Sequence, residues 1–331
     1  MKVLRKVYNG LLIIIKLVEN KLYLKILLII LMTSKKELLI GRDNKKVDYN
    51  ESSDTLILLH NAGFFSACSV KLHYLVKYFT IFNKLPTYVD SSYQFWWQKH
   101  PPYLFTKTFE GDVTFDFFEN YVNYDFLINK NDIKLVNKYT WDAQWLNYTK
   151  NPFFKTLRPF IKKYFSPSKD ILNIIKRMEN KYNIDYDNTI VVFFRGNCKA
   201  YREREELSKE LFLKKTQSIL EKNPNSTVLL QSDEINFIGY MKDNFNNHIV
   251  FNDECRMISK QNRTVDEFYR NNKNSDNNLY SKYFLAIIII MSKCKFVICG
   301  RGNCDVWIYI YRILYKNDKY FTQLIKNNWT N

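Results

Sequence analysis

The chain has 331 residues, 46% of them hydrophobic and 17% aromatic, with 50 Lys and Arg against 33 Asp and Glu and a formal net charge of +17. So large an apolar share excludes a disordered polyelectrolyte and is enough to bury two cores of ordinary size. The positive balance invites a polyanion partner, but the basic clusters are short and scattered, the Lys-, Asn-, Ile- and Tyr-heavy usage reads as the imprint of an AT-rich genome, and only 155–181 is basic enough to form a patch, so nucleic acid is not the expected partner.

Residues 1–50 read as an apolar and basic extension. Its two apolar runs, 11–18 and 22–32, are broken by Lys16, by Glu19, Asn20 and Lys21, and by Lys25, so no unbroken stretch approaches the ~20 residues that cross a bilayer. A signal anchor, an interfacial helix and a cytosolic extension all stay open, and with them a cytoplasmic location or peripheral membrane association through residues 1–32.

The apolar run 55–59 predicts a strand. It opens into His60, Asn61, Ala62, Gly63, Phe64, Phe65 and Ser66, then a helical pattern over 67–82 and a second strand over 85–90, which together make a βαβ unit. The segment 91–148 is dense in Tyr, Phe and Trp. Aromatic faces stack on sugar rings, but at this frequency most must pack a core. Pro152, Pro159 and Pro167 punctuate a basic passage over 150–187 that reads as a hinge, dividing the rest of the chain into units 51–165 and 166–331.

The second unit uses one design three times, an apolar strand that ends abruptly in polar residues. Residues 190–194 run into Arg195, Gly196, Asn197, Cys198 and Lys199, with Glu203 just beyond; residues 226–230 run into Gln231, Ser232, Asp233 and Glu234. After a polar, Asn-rich loop at 271–278 and an apolar helix over 279–291, residues 295–299 run into Gly300, Arg301, Gly302 and Asn303 and a helical pattern over 304–315. Continuous apolar runs of this kind read as strands covered on both faces, and in open α/β sheets the ligand crevice lies beyond their carboxyl ends. A guanidinium there suits a phosphate, and glycine lets the backbone turn closely around it. Lys199 adds a cation and Glu203 a candidate proton acceptor, and the turn ahead of residue 304 predicts an anion site at helix amides. Plainer readings stand beside these: a charged surface helix over 203–215, Asn303 as an N-cap, and Asp233 as a carboxylate capping the next helix.

The six cysteines, Cys68, Cys198, Cys255, Cys294, Cys299 and Cys304, contain no Cys-x-x-Cys pair, and the four histidines, His60, His73, His100 and His248, lie far apart, so no metal site is predicted.

At these residues the chain resembles the fucosyltransferase-like glycosyltransferases of GT-B fold, which include α-1,6-fucosyltransferases and protein O-fucosyltransferases. The family's His-x-Arg-Arg-x-Asp-Lys motif, with a Glu four residues on, is similar to Phe193 to Lys199 with Glu203. Its strand ending in Thr/Ser-Asp-Asp/Glu is similar to Gln231-Ser232-Asp233-Glu234, and its Ser-Gly-Asn-x-x-x-Trp form to Gly302, Asn303 and Trp307. The strand and loop at 55–66 look like the opening of the acceptor-side domain, so the matches span most of 55–315. The chain departs from the pattern at Phe193 for His, Gly196 for the second Arg, Cys198 for Asp and Arg301 for the Ser before Gly-Asn.

The resemblance implies an α/β, GT-B-like fold of two Rossmann-like domains facing a central cleft: an acceptor-side domain over 51–165 with an aromatic-rich insertion, and a donor domain over 166–331. It implies an inverting, metal-independent transfer of fucose from GDP-fucose, or of another nucleotide sugar, to a glycan or glycoprotein acceptor, without a cofactor. Glu203 would be the general base, Lys199 its charge relay, and Arg195 the cation on the leaving diphosphate. Gly196, Asn197, Gln231, Ser232, Asp233, Gly300, Arg301, Gly302 and Asn303 would line the donor site, with Asp233 on the base or ribose. His60, Asn61, Gly63, Phe64 and Ser66 would form the acceptor-side loop. Cys198 cannot fix a neighbouring cation as a carboxylate does, which keeps open a catalytically degenerate nucleotide-sugar or partner-binding protein; a basic polyanion-binding protein is the third reading.

Overall fold

The computed structural model describes residues 37–40, 55–58, 60, 63–92, 95, 113–120, 126–129, 132–197, 207–259, 265, 276–315, 317 and 319–325. Two parallel sheets organise them. The first has three strands in chain order, β1 (Glu37–Ile40), β2 (Thr55–Leu58) and β3 (Tyr88–Asp90), with helix α1 (Phe64–Phe82) crossing from β2 to β3. The expected βαβ unit is present. It gains β1 from the segment read as an extension, paired in register Glu37 to Thr55 through Ile40 to Leu58.

The second sheet has five parallel strands in the order β6-β5-β4-β7-β8, where β4 is Thr189–Phe194, β5 Thr227–Ser232, β6 His248–Val250, β7 Phe296–Cys299 and β8 Phe321–Gln323. The chain starts in the centre at β4, builds outward through β5 and β6, then crosses back to add β7 and β8 on the other side. Strand order therefore reverses between β4 and β7, the place where doubly wound sheets open a crevice at their carboxyl ends. Every residue of β4 is buried. Its side chains alternate between two apolar clusters, as the period of two in a strand requires. Val191 and Phe193 join the larger cluster, while Ile190, Val192 and Phe194 join the smaller one with Phe212, Phe237, Ile238 and Met241. At roughly 1.5–3 kcal/mol for each large apolar side chain buried, this strand anchors the unit.

The two apolar clusters pack on the two faces of the five-stranded sheet. The larger cluster also takes in Leu56 and Leu58 of β2 and much of α1. The passage 150–187, read as a hinge, is largely helical and packed: helices Phe153–Thr156 and Arg158–Tyr164 bury Phe153, Phe154, Phe160, Ile161 and Tyr164. Helix α2 (Lys169–Tyr182) follows, capped by Ser168 Oγ and burying Ile171, Ile174, Ile175 and Met178 at helical spacing. Most described aromatic residues of 91–148 are likewise core: Phe95, Phe117, Phe118, Tyr139 and Tyr148 are all buried.

Helices α3 (Lys209–Leu220) and α4 (Ile235–Lys242) follow β4 and β5, and α5 (Asn277–Lys293) precedes β7, capped by Asp276 Oδ1 from Leu279 N at 2.9 Å. Its run Leu285 to Ser292 is buried throughout. Helix α6 (Asn303–Leu314) follows β7 and carries the fully buried Arg312. Among the described residues no helix is long and apolar enough to cross a membrane.

Arg312 ties β7's approach to the end of α6. Its Nη1 donates to the carbonyls of Ser292 at 3.2 Å and of Cys294, and its Nη2 to those of Lys295 at 2.9 Å and Lys319 at 2.6 Å. Arg312→Met would strand these carbonyls in a dry interior and is expected to cost roughly 3 kcal/mol or more in urea unfolding; an unchanged midpoint would show that other donors replace the guanidinium.

Candidate functional site

The strand registers bring the three polar strand ends together. Phe194 pairs with Ser232 and Phe193 with Cys299, so Arg195, Asp233 and Gly300 leave the sheet side by side at its carboxyl edge. Arg195 is the cation of this edge. Its Nη1 donates to Cys304 Sγ at 2.8 Å, its Nε lies 3.7 Å from Asp233 Oδ2, and its side chain keeps 31% of its surface exposed. The guanidinium is held in its charged form chiefly by the Cys304 sulfur, against the opposing effect of burial, with help from Asp233.

Asp233 organises the backbone around that arginine. Its Oδ1 accepts from the amides of Gly196 at 2.9 Å and Asn197 at 3.4 Å, and Asn197 Nδ2 returns hydrogen bonds to the carbonyls of Asp233 at 2.8 Å and Ile258 at 3.3 Å. Asn197, 1% exposed, is therefore a pin between two loops. The Oδ2 of Asp233 is buried without a hydrogen-bond partner. Glu234, with no exposed surface, has Lys209 Nζ 3.0 Å from its Oε1, an ion pair lacking an aligned hydrogen bond. Ser232 Oγ accepts from Glu234 N at 3.0 Å, and Gln231 Oε1 is buried without a partner.

The glycine-rich turn departs from its expected form. Gly302, at φ 147°, is the N-cap and Asn303 the first residue of α6, so Asn303 is not the cap; its Oδ1 accepts from Ser69 Oγ at 2.8 Å. Gly302 N donates to the Tyr148 hydroxyl at 3.2 Å, and Gly300 N to Asp305 Oδ1 at 3.0 Å. Amides that the sequence offers to an anion at Gly196, Asn197, Gly300 and Gly302 are thus engaged from within by two carboxylates and a phenol. Among the described residues the cations left at this edge are Arg195 and Arg301. Arg301 is half-buried, its Nε has no hydrogen-bond partner, and burial pulls its pKa below the ordinary arginine value, offset in part by Tyr148.

Of the residues expected to form a loop on the acceptor side, Phe64 and Ser66 lie in the first turn of α1, which reaches the same edge through Ser69. His60 Nε2 lies 3.3 Å from Ser66 Oγ, Gly63 precedes α1, and Phe64 is buried edge-on to Phe65, Phe95 and Phe117. Ser69, one turn beyond Ser66, bonds Asn303 and also accepts from Trp307 Nε1 at 2.9 Å. Asn61, Cys198, Lys199 and Glu203 lie outside the described residues, as does the start of the helix expected over 203–215, which is described from Lys209. Among the described residues no group of three or more His, Cys, Asp or Glu could hold a metal ion. Cys304, Asp305, Tyr148 and Ser69 are the site residues that the sequence did not single out. Only Asp305 carried a local signal, an acid in the first turn of a helix.

The fold is α/β, with Arg195 and Arg301 beside buried carboxylates at the switch point of a parallel sheet. No family model and no curated protein matches the chain. Among solved structures it is similar to NodZ α-1,6-fucosyltransferase soaked with GDP-fucose, at TM-score 0.45 and 10% identity over 78% of this chain and 92% of that one. It is also similar to fucosyltransferase NodZ from Bradyrhizobium, at TM-score 0.43 and 12% identity over 80% and 93% of the two chains. A third likeness is to an Arabidopsis thaliana FUT1 mutant in complex with GDP, at TM-score 0.40 and 11% identity over 82% and 70%. At scores this low we take function from the chain's own residues.

Two outcomes follow from the geometry. A Cβ added at Gly196 would stand 2.2 Å from Glu234 Oε2 and 2.5 Å from a ring carbon of Phe194. Gly196→Ala is therefore expected to lower stability by about 1–3 kcal/mol in chemical denaturation, and wild-type stability would mean that both neighbours move aside at no cost. Burial pushes the Asp233 carboxyl above the ordinary carboxylate value, against the pull of Arg195 and the two amides. Just above that ordinary value the folded protein holds a proton that the unfolded chain has released, so this group's contribution to stability falls as pH rises through the window. Asp233→Asn, which keeps an oxygen for the two amides, should flatten the pH profile of the urea midpoint there; a profile identical to wild type would refute the assignment.

Proposed function

We propose that the chain is a glycosyltransferase that binds a nucleotide sugar at the carboxyl edge of the five-stranded sheet. The observation that carries this reading is Arg195: a partly exposed guanidinium one residue beyond the central strand, at the switch point, held by Cys304 and Asp233. Its fork suits two oxygens of a diphosphate, and Arg301 supplies a second cation from the neighbouring turn. Asp233 Oδ2, ion-paired with Arg195 but without a hydrogen bond, is the acceptor left for a ribose hydroxyl or a base N–H of the donor.

The reading extends to chemistry through the sequence resemblance. The donor is GDP-fucose, transferred with inversion to a glycan or protein hydroxyl. Glu203 takes the acceptor's proton while Lys199 relays charge, and Arg195 neutralises the leaving diphosphate. Fixed cations aimed at a leaving group stabilise developing charge with little reorganisation during the reaction. His60, ahead of α1, and Ser66, in its first turn, stand toward the acceptor.

Thermal unfolding with GDP, UDP, ADP and GMP, each in excess and with EDTA present, tests the donor. GDP at ~100 times its dissociation constant should stabilise the wild type by about 2.7 kcal/mol, and Arg195→Ala, by weakening GDP about 100-fold, should cut the shift to about 0.4 kcal/mol. If no nucleotide moves the wild type, the donor site is refuted and a polyanion-binding role takes its place. With a transferring system in hand, Glu203→Gln should lower turnover by ~10²–10⁴-fold, and retained transfer would remove Glu203 from its role.

A further inference from the structure

The partners of Arg195 are unequal. Asp233 Oδ2 approaches Nε only to 3.7 Å, whereas Cys304 Sγ takes the hydrogen of Nη1 at 2.8 Å. Among the described residues Nη2 has no hydrogen-bond partner, and the side chain is 31% exposed, so the outer edge of the fork is the part left for a ligand. Cys304 is the second residue of α6 and only 3% exposed, so its sulfur is held in place beside the Arg195 guanidinium. Asp305 beside it is turned to Gly300 N and does not replace it. Cys68 on α1, fully buried with its thiol pushed up in pKa by burial, is a neutral neighbour, and Lys71 one turn further is the nearest cation of that helix in sequence.

We propose that Cys304 is a positioning residue for the donor site: its sulfur, with the Asp233 carboxylate, fixes the Arg195 guanidinium so that the remaining N–H groups meet the donor's diphosphate. A sulfur suits this place better than a second carboxylate. A carboxylate would take Nη1 and Nη2 together in a bidentate pair and leave no fork for phosphate oxygens, whereas one sulfur occupies one nitrogen. The inference rests on the nucleotide-sugar reading of the edge.

The test is a double-mutant cycle of Cys304→Ala and Arg195→Ala, read as the GDP dissociation constant by calorimetry and as the midpoint of urea unfolding. Cys304→Ala alone should weaken GDP about tenfold, the size of one lost hydrogen bond to a charged group. Cys304→Ser, whose hydroxyl still accepts from Nη1, should recover most of that loss. In the Arg195→Ala background Cys304→Ala should cost nothing more, a result that mere packing of the thiol would not produce. An equal loss with and without Arg195 overturns the proposal. If the wild type takes no nucleoside diphosphate, the donor reading fails on its own account; the pairing is then judged by the unfolding midpoints, where additive effects overturn it and non-additive effects uphold it.

Discussion

Everything at the candidate site depends on the burial of one strand. β4 is apolar on both faces from Ile190 to Phe194, paired along its length by β5 and over Ile190–Phe193 by β7, and its one polar residue, Thr189 at the start, is buried with its hydroxyl donating to the Asp185 carbonyl. Polarity returns only where the ladder stops. The switch in strand order places that stop beside the turn after β7 and not beside a covering helix. A dry, close-packed sheet interior thus decides where the charged residues stand. It also accounts for their burial: Asp233, Glu234, Asn197 and Asp305 sit at the lip of the core and must find partners there, because an unpaired polar group in such a place costs more than a hydrogen bond returns.

That requirement reshapes the expected anion site. Glycine-rich turns at strand ends offer amides to phosphates, and this chain has the turns. Its own carboxylates fill them: Asp233 takes the amides of Gly196 and Asn197, and Asp305 takes that of Gly300. Two internal acceptors stiffen both loops and leave attraction for a diphosphate to the guanidinium groups.

How much of this was readable in the sequence follows from distance along the chain. The strands β4, β5 and β7 and the polar residues that end them were legible because an apolar run stopping abruptly is a local pattern. β6 and β8 were not, since three residues at a sheet edge display no period. β1 was hidden in a segment whose apolar runs invited a membrane reading. The partners that finish the site were illegible for the same reason: Cys304 lies 109 residues from Arg195, Tyr148 lies 154 from Gly302, and Ser69 lies 234 from Asn303. Asn303 shows the limit most clearly. Its position predicts an N-cap, yet its side chain serves a tertiary contact that no local rule anticipates.

Ser69 completes the logic of the fold around the site. Its hydroxyl donates to Asn303 and accepts from Trp307, both on α6, while Ser66, one turn earlier on the same helix, has its Oγ 3.3 Å from His60 Nε2. One buried hydroxyl therefore sets the start of α1 against the turn that follows β7. Trp307, fully buried and packed near Phe65 and Phe165, keeps the geometry from slipping, since a large ring in a close-packed interior has few alternative positions. The residues resembling a Gly-Asn-x-x-x-Trp motif thus work as a joint. Ser69 and Trp307 thereby hold α1 at a defined place beside the turn that carries Arg301 and Gly302.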